Sequence, residues 1–470
     1  MKLYKITNFV IVALVIAAVY QTGELWLEGT SSHNFFNLMV NGESLFGKQA
    51  DGDVLLATRY AVGEGKGAFS VYYPDEIGTS SLLQEANGVL NEILSEKDNQ
   101  VDFLTADWKE ILGKRCMVMQ YDFMVSADEY LSQYKRAKNS DKMDSFDYIT
   151  ILPSRRPGEE SKAYFVNSKT NESVCYTTNK SQSASDFYDK LVTNDDEMTY
   201  ISTGQKTGTS VIWRNLFLPQ WAQLPYRYCS LREFAAFEKD GVLSRVDMEN
   251  AVKGFFRNFS VDWSTKDESG DFIFSDSQTV IKYFSNTRVL DYYSYGAYGN
   301  DTNNTGLLEG YQICCNFLEN DTSLTTDVFL ADIEKKSNET IYYFDYAVND
   351  LPVNLSVAMQ EKIGSSHAIE VTVRNQRVKK YHRYVVNYEA VSTPDMELDV
   401  QFIDALDDAN KTYQETVEEK VISDVRNISL GYYVDLTGNI DLKWFITLYD
   451  YLFVTDTYAD PAAEMSHISQ

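Results

Sequence analysis

The chain has 470 residues, with 42 basic against 69 acidic side chains and a formal charge of −27. So acidic a surface excludes a nucleic-acid-binding face, which needs clustered Lys and Arg to release counterions from phosphate, and it excludes docking of the whole surface on anionic lipid. With 44% hydrophobic residues the composition is globular rather than disordered or fibrous, and the length allows about two to four domains.

The N-terminus carries Lys2 and Lys5, then an uninterrupted apolar run, Phe9–Tyr20. Gln21-Thr22-Gly23-Glu24 interrupts it, and Leu25, Trp26 and Leu27 resume it. From Ile6 to Leu27 the stretch matches the ~20 residues that a helix needs to span a bilayer. Glu24 and Glu28 follow it, with no Lys before Lys48, so the positive-inside rule puts the tip in the cytoplasm and the bulk outside. With no A-x-A cleavage site at a suitable distance, an uncleaved signal anchor is expected rather than a removed signal peptide. Phe9, Val10, Ala13, Ala17, Ala18, Tyr20 and Trp26 are the candidate membrane and partner-helix residues. The three alanines allow close helix approach, and Trp26 suits the outer interface. No second apolar span of that length occurs.

The expected division is 1–28 for the cytoplasmic tip and anchor, 29–194 for an N-terminal ectodomain unit, 195–300 for a central unit, 301–456 for a C-terminal unit and 457–470 for a tail. In the first unit, Phe69–Tyr73 reads as a strand. Ser81-Leu-Leu-Gln84 is a capping box opening a helix with Leu82, Ala86, Leu90, Ile93 and Leu94 on its apolar face. A short helix follows at Asp107–Leu112, then a strand at Cys116–Phe123. A second capping box, Ser126-Ala-Asp-Glu129, starts a helix through Tyr134. Phe146–Leu152 is a strand, Ala163–Val166 and Ser173–Thr177 form a hairpin around a polar turn, and Ser185–Val192 is a helix.

The polar stretch Thr193–Ser210 separates the second unit, in which a helix at Val246–Arg257 precedes a meander of Phe272–Ser275, Thr279–Phe284 and Val289–Tyr293. Gly296–Gly306 separates the third. There strands are expected at Tyr311–Leu318, Thr340–Val348, Ala368–Val373 and Val378–Tyr388, and a helix from Thr393-Pro394 with Leu398, Phe402, Ile403 and Leu406 on its apolar face. Further strands follow within Val417–Val434 and at Leu442–Tyr451. Phe272–Tyr293 and Ala368–Tyr388 share a layout consistent with distant duplication. The fold class is α+β, an N-terminal transmembrane helix followed by a multi-domain ectodomain of mainly antiparallel sheets with packed helices, because the meander turns are too short for parallel crossovers.

The search for chemistry assigns no catalytic, cofactor or metal residue. The five cysteines, Cys116, Cys175, Cys229, Cys314 and Cys315, are scattered and odd in number, a poor disulfide framework, and none has zinc spacing to a His. The histidines, His33, His367, His382 and His467, form no metal motif, and His367 and His382 read as solvent-facing or hydrogen-bonded sheet residues. Ser132-Gln-Tyr-Lys135, Ser140-Asp141 and Lys206-Thr207-Gly208 imitate the penicillin-binding motif set, but the Asn is missing and the spacing is wrong. Asn300–Gly306 lacks the carboxylate of a calcium loop, since Gln312 stands at the twelfth position. A single anchor with small sheet units and no motif favours a binding or regulatory ectodomain. The alternative is a cell-wall-associated glycan-binding protein or hydrolase, using Trp213, Trp221 and Trp444 to stack on sugars.

Several segments resemble the YycH family of membrane-anchored exterior regulators. They are Gly270-Asp-Phe-Ile-Phe-Ser-Asp-Ser-Gln-Thr-Val-Ile-Lys-Tyr283, Arg288-Val-Leu-Asp-Tyr-Tyr293, Tyr343-Phe-Asp-Tyr-Ala-Val-Asn-Asp-Leu-Pro352, Ala368-Ile-Glu-Val-Thr-Val373, Val378-Lys-Lys-Tyr381 and Leu430-Gly-Tyr-Tyr433. The resemblance covers about half the chain by pattern, and its motifs are structural rather than catalytic. It implies three exterior domains, the last two related to a YycI-like sister protein. The implied function is non-enzymatic regulation of a WalK-like sensor histidine kinase that controls cell-wall metabolism, with both proteins as partners, no cofactor, and kinase contact through Phe9–Tyr20.

Overall fold

A computed structural model describes residues 55, 57–72, 81–134, 143–193, 199–202, 217–219, 230–239, 242–256, 263–266, 271–295, 305–348, 351–391, 400, 402–417, 425–449 and 451–457. The expected anchor and the tail beyond Thr457 lie outside these residues. Among the described residues no helix is long and apolar enough to cross a membrane.

The first sheet has nine strands: β1 (Arg59–Glu64), β2 (Ala68–Tyr72), β3 (Gln100–Thr105), β4 (Arg115–Ser126), β5 (Ser145–Leu152), β6 (Ser161–Asn167), β7 (Glu172–Thr178), β8 (Thr199–Ser202) and β9 (Phe217–Pro219). They pair in the order β3-β7-β6-β5-β4-β1-β2-β8-β9. β4 is buried on both faces, so its side chains divide by the period of two. Met117, Met119 and Tyr121 join the main core, whereas Cys116 and Val118 join a second layer with Ala61, Phe69, Ile111 and Phe217. Helix α1 (Ser81–Ser95) covers the main face with Leu83, Ala86, Leu90, Ile93 and Leu94, the spacing of one helical stripe. Three short helices complete this unit: α2 (Trp108–Leu112), α3 (Ala127–Ser132) and α4 (Ala184–Lys190).

The remaining strands are β10 (Ser230–Ala235), β11 (Glu238–Lys239), β12 (Val242–Leu243), β13 (Trp263–Lys266), β14 (Phe272–Ser275), β15 (Thr279–Phe284), β16 (Val289–Ser294), β17 (Val328–Lys336), β18 (Glu339–Val348), β19 (Leu351–Leu355), β20 (Ile369–Arg374), β21 (Arg377–Tyr384), β22 (Val386–Val391), β23 (Val425–Val434), β24 (Ile440–Leu448) and β25 (Tyr451–Asp456). β10 pairs with β22, and β11 with β12. The others form a twelve-stranded sheet in the order β13-β14-β15-β16-β21-β20-β18-β19-β23-β24-β25, with β17 also on β18. Among the described residues its one parallel pairing joins β19 to β23. Helices α5 (Arg245–Val252), α6 (Leu307–Leu318), α7 (Val357–Ile363) and α8 (Phe402–Val417) each precede a run of strands. The class is α+β with mainly antiparallel sheets.

Three expectations need correction. Tyr311–Leu318 is the helix α6, not a strand. Its buried Leu307, Gly310, Tyr311, Cys314, Cys315 and Leu318 recur at three- and four-residue steps, and the aromatic and Cys content that suggested a strand packs on one helical face. Val378–Tyr388 is two strands, because the Val385 N–H donates to Arg288 O and the chain leaves β21 for a new partner, β10. In the Val417–Val434 segment, Val417 ends α8 and the described residues from Val425 form β23.

The two large sheets meet along one seam. The Arg59 guanidinium donates to Asn427 Oδ1 at 2.8 Å. Glu129 accepts the Leu307 N–H at 2.7 Å with one oxygen and pairs with Lys335 through the other. One continuous buried core runs from Leu55 to Leu448 across both sheets.

Candidate functional site

A cavity of about 220 Å³ opens on this seam. Thr58 and Arg59, at the start of β1, and Asp122 of β4 supply the side belonging to the first sheet. The second sheet supplies Phe329 and Ala331 from β17, Asp345 and Ala347 from β18, Pro352 and Asn354 from β19, Asn427 and Ser429 from β23, Phe445 from β24 and Leu452 from β25. His367, just before β20, completes the lining. Eight of the fourteen lining residues are polar, yet most of the surface turned to the cavity is apolar, a make-up compatible with a small-molecule site.

Two acid–base pairs organise the polar groups. On the first sheet, Arg59 is almost fully buried and its Nη2 lies 3.8 Å from Asp122 Oδ1. The Asp122 backbone N–H donates to Thr58 Oγ1 at 3.1 Å, fixing that corner of β4 to β1. On the second sheet, Asp345 Oδ2 lies 2.7 Å from His367 Nδ1, and Asp345 Oδ1 accepts the Ala368 N–H at 2.9 Å. The His367 N–H donates to Ser365 Oγ, and the ring lies 4.9 Å from that of Tyr343. Burial alone would lower the His367 pKa, but the adjacent Asp345 carboxylate outweighs it, and the imidazole is held above its ordinary 6.5. Protonated, the ring presents a charged Nε2–H donor; deprotonated with Nδ1–H kept on Asp345, it presents Nε2 as an acceptor.

None of the residues expected to matter is among those named as lining this cavity. Phe9, Val10, Ala13, Ala17, Ala18, Tyr20 and Trp26 lie outside the described residues, as do Trp213 and Trp221. Trp444 is not available to stack on a sugar. It is 1% exposed and its indole N–H donates to Val400 O. Ser132 is tied to its own helix, its hydroxyl donating to Glu129 O. His382 lies in β21 with Nδ1 2.7 Å from Asp291 Oδ1. Cys116, Cys175, Cys314 and Cys315 are buried free thiols. Among the described residues no cluster of His, Cys, Asp and Glu could hold a metal ion. Arg59, Asp122 and Asp345 escaped sequence reading altogether, and His367 was read only as a sheet residue. Only Asp345 stands inside a conspicuous aromatic segment.

No family model matches the chain, and no curated protein matches it in sequence. Three solved structures are similar in shape. YycH from Bacillus subtilis shares 14% identity at a TM-score of 0.49, over 88% of this chain and 99% of that one. An uncharacterized protein from Eubacterium rectale shares 12% at 0.32, over 55% and 92%. The C-terminal domain of YpeB from Bacillus megaterium shares 12% at 0.25, over 46% and 94%.

Proposed function

We propose that the chain is a non-enzymatic regulator of the YycH type, anchored by Phe9–Tyr20 with its bulk outside the cell membrane, acting on a WalK-like sensor histidine kinase together with a YycI-like protein. One observation carries this reading. The segments that resemble the family, scattered from Gly270 to Tyr433, fall on β14, β15, β16, β21, β20, β18, β19 and β23, eight strands that follow one another in a single sheet. A pattern arising by chance in the sequence has no reason to fall on consecutive neighbours. A regulator of this kind works by differential binding to two states of its partner. Crosslinking of the full chain in intact membranes, followed by identification of the captured protein, tests it. Recovery of a sensor kinase is expected, and a Phe9–Tyr20 replacement should abolish it. Capture of cell-wall glycan instead, with no kinase, would refute it.

A hydrolase is the second reading, because Ser429 lines the same cavity as the His367–Asp345 pair. Among the described residues no hydrogen bond joins His367 to Ser429, whereas a nucleophile normally sits within hydrogen-bond reach of its base. A fluorophosphonate probe decides: labelling lost in Ser429→Ala favours the hydrolase, and no labelling favours the regulator.

A further inference from the structure

The seam cavity holds charges of both signs. Arg59 is a cation, His367 becomes one when protonated, and Asp122 and Asp345 are carboxylates, set among the apolar side chains of Phe329, Phe445 and Leu452. A guest carrying only negative charge would face both carboxylates, and one carrying only positive charge would face Arg59. A zwitterion meets neither penalty. Arg59 and Asp122 sit side by side, 3.8 Å apart at their nearest charged atoms. An ammonium and a carboxylate borne on one carbon are likewise side by side, so the two ends of such a guest reach opposite charges at once. Asp345 is already occupied by His367 and by the Ala368 N–H, which leaves Asp122, the half-exposed carboxylate, to meet the ammonium.

Size narrows the guest further. A dry cavity of about 150 Å³ holds benzene, with six heavy atoms. In proportion, the 220 Å³ here accommodates about nine heavy atoms on the same scale, the size of a single branched-chain amino acid. We propose that the seam cavity binds one free α-amino acid with an apolar side chain, its carboxylate on Arg59, its ammonium on Asp122 and its side chain against Phe329, Phe445 and Leu452. Asn354, Asn427 and His367 also line the cavity. Because the walls come from both sheets, the guest bridges the seam and holds the two sheets together.

This inference stands apart from the regulatory reading, since binding by the purified chain needs no partner and a failure of either leaves the other intact. The test is calorimetric titration of the full chain in detergent with L-leucine, leucinamide, 4-methylpentanoate and glycine. Leucine should bind, and removal of the carboxylate, the ammonium or the side chain should each weaken binding at least about tenfold, the equivalent of about 1.4 kcal/mol. Asp122→Asn, at a half-exposed position, should weaken leucine by a similar factor and strengthen 4-methylpentanoate, which no longer faces that carboxylate. Ala331→Phe, which fills the cavity from β17, should abolish leucine binding. No heat with leucine, isoleucine, valine or methionine at about 10 mM, or equal affinity for leucine and leucinamide, would overturn the proposal, as would a preference for a charged amino acid.

Discussion

Arg383 is fully buried, and its removal should be among the most damaging single changes in the chain. Its guanidinium meets Asp321 Oδ2 at 2.7 Å, Ser323 Oγ at 2.8 Å, the Tyr346 hydroxyl at 3.0 Å, and the backbone oxygens of Ser323 and Val386 at 3.2 and 3.3 Å. Asp321, 1% exposed, also accepts from Tyr381 OH at 2.7 Å and from the Ser323 N–H and hydroxyl. The pair ties the loop after α6 to β18 and β21. Breaking one partner of a buried pair costs about 3–5 kcal/mol, against a total stability of about 5–15 kcal/mol. Arg383→Met leaves a carboxylate that keeps three donors, so its cost should lie near 3 kcal/mol. Asp321→Asn leaves a guanidinium with no counter-ion and should cost nearer 5 kcal/mol. The double variant should cost about 1–3 kcal/mol less than the sum, because each single change strands the other charge. Urea unfolding followed by near-ultraviolet circular dichroism measures all three. If Asp321→Asn costs under about 1 kcal/mol, or the two changes simply add, then the buried charges are not coupled as argued.

Gly310 faces Tyr342, and a Cβ there would lie 2.1 Å from the Tyr342 hydroxyl, which donates to Leu307 O. Gly310→Ala should therefore lower stability by about 1–3 kcal/mol, as overpacking does, and a thermal melt should show Tyr342→Phe recovering part of it. Glu129→Ala should cost about 1–2 kcal/mol, by removing the acceptor of the Leu307 N–H rather than the exposed Lys335 pair. Lys335→Met should then change the melting temperature little. The raised His367 pKa binds the proton more tightly in the folded state, so protonation stabilises the fold. That contribution is complete below the unfolded value of 6.5 and is lost as pH rises through the folded value. Urea titrations from about pH 5.5 to about pH 8.5 should show His367→Asn losing part of the decline toward alkaline pH. An unchanged slope would exclude the Asp345 contact as its cause.

Much of the fold was legible where one local rule dominates. In the meander β14–β16 the first two strands alternate buried and partly buried residues, β16 departs from this with Val289 and Leu290 both buried, and the turns hold Asp276 and Ser285–Thr287. The hairpin β6–β7 turns at Asn171, in the left-handed region that Asn tolerates. β17 was invisible because its second half, Asp332–Lys336, is largely exposed and charged and reads as a loop. The Ser126–Glu129 capping box was half right. Ser126 Oγ accepts the Glu129 N–H, but the Glu129 carboxylate turns away to α6 and Lys335. The cavity could not be read at all. Arg59 and Asn427 touch although 368 residues separate them, and no local pattern encodes a contact made by the docking of two sheets.

The buried cysteines give the protein a built-in gauge of its own opening. Burial pushes the Cys116 and Cys315 thiols up to about 12 and that of Cys314 well above its usual range. Alkylating and oxidising reagents act on the thiolate, so these sulfurs stay silent while the sheets and α6 are intact. With Cys229 replaced by Ser, iodoacetamide uptake by the chain becomes a clock that ticks only during excursions from the native state, and an oxidant finds nothing at these sulfurs to crosslink until the fold itself gives way.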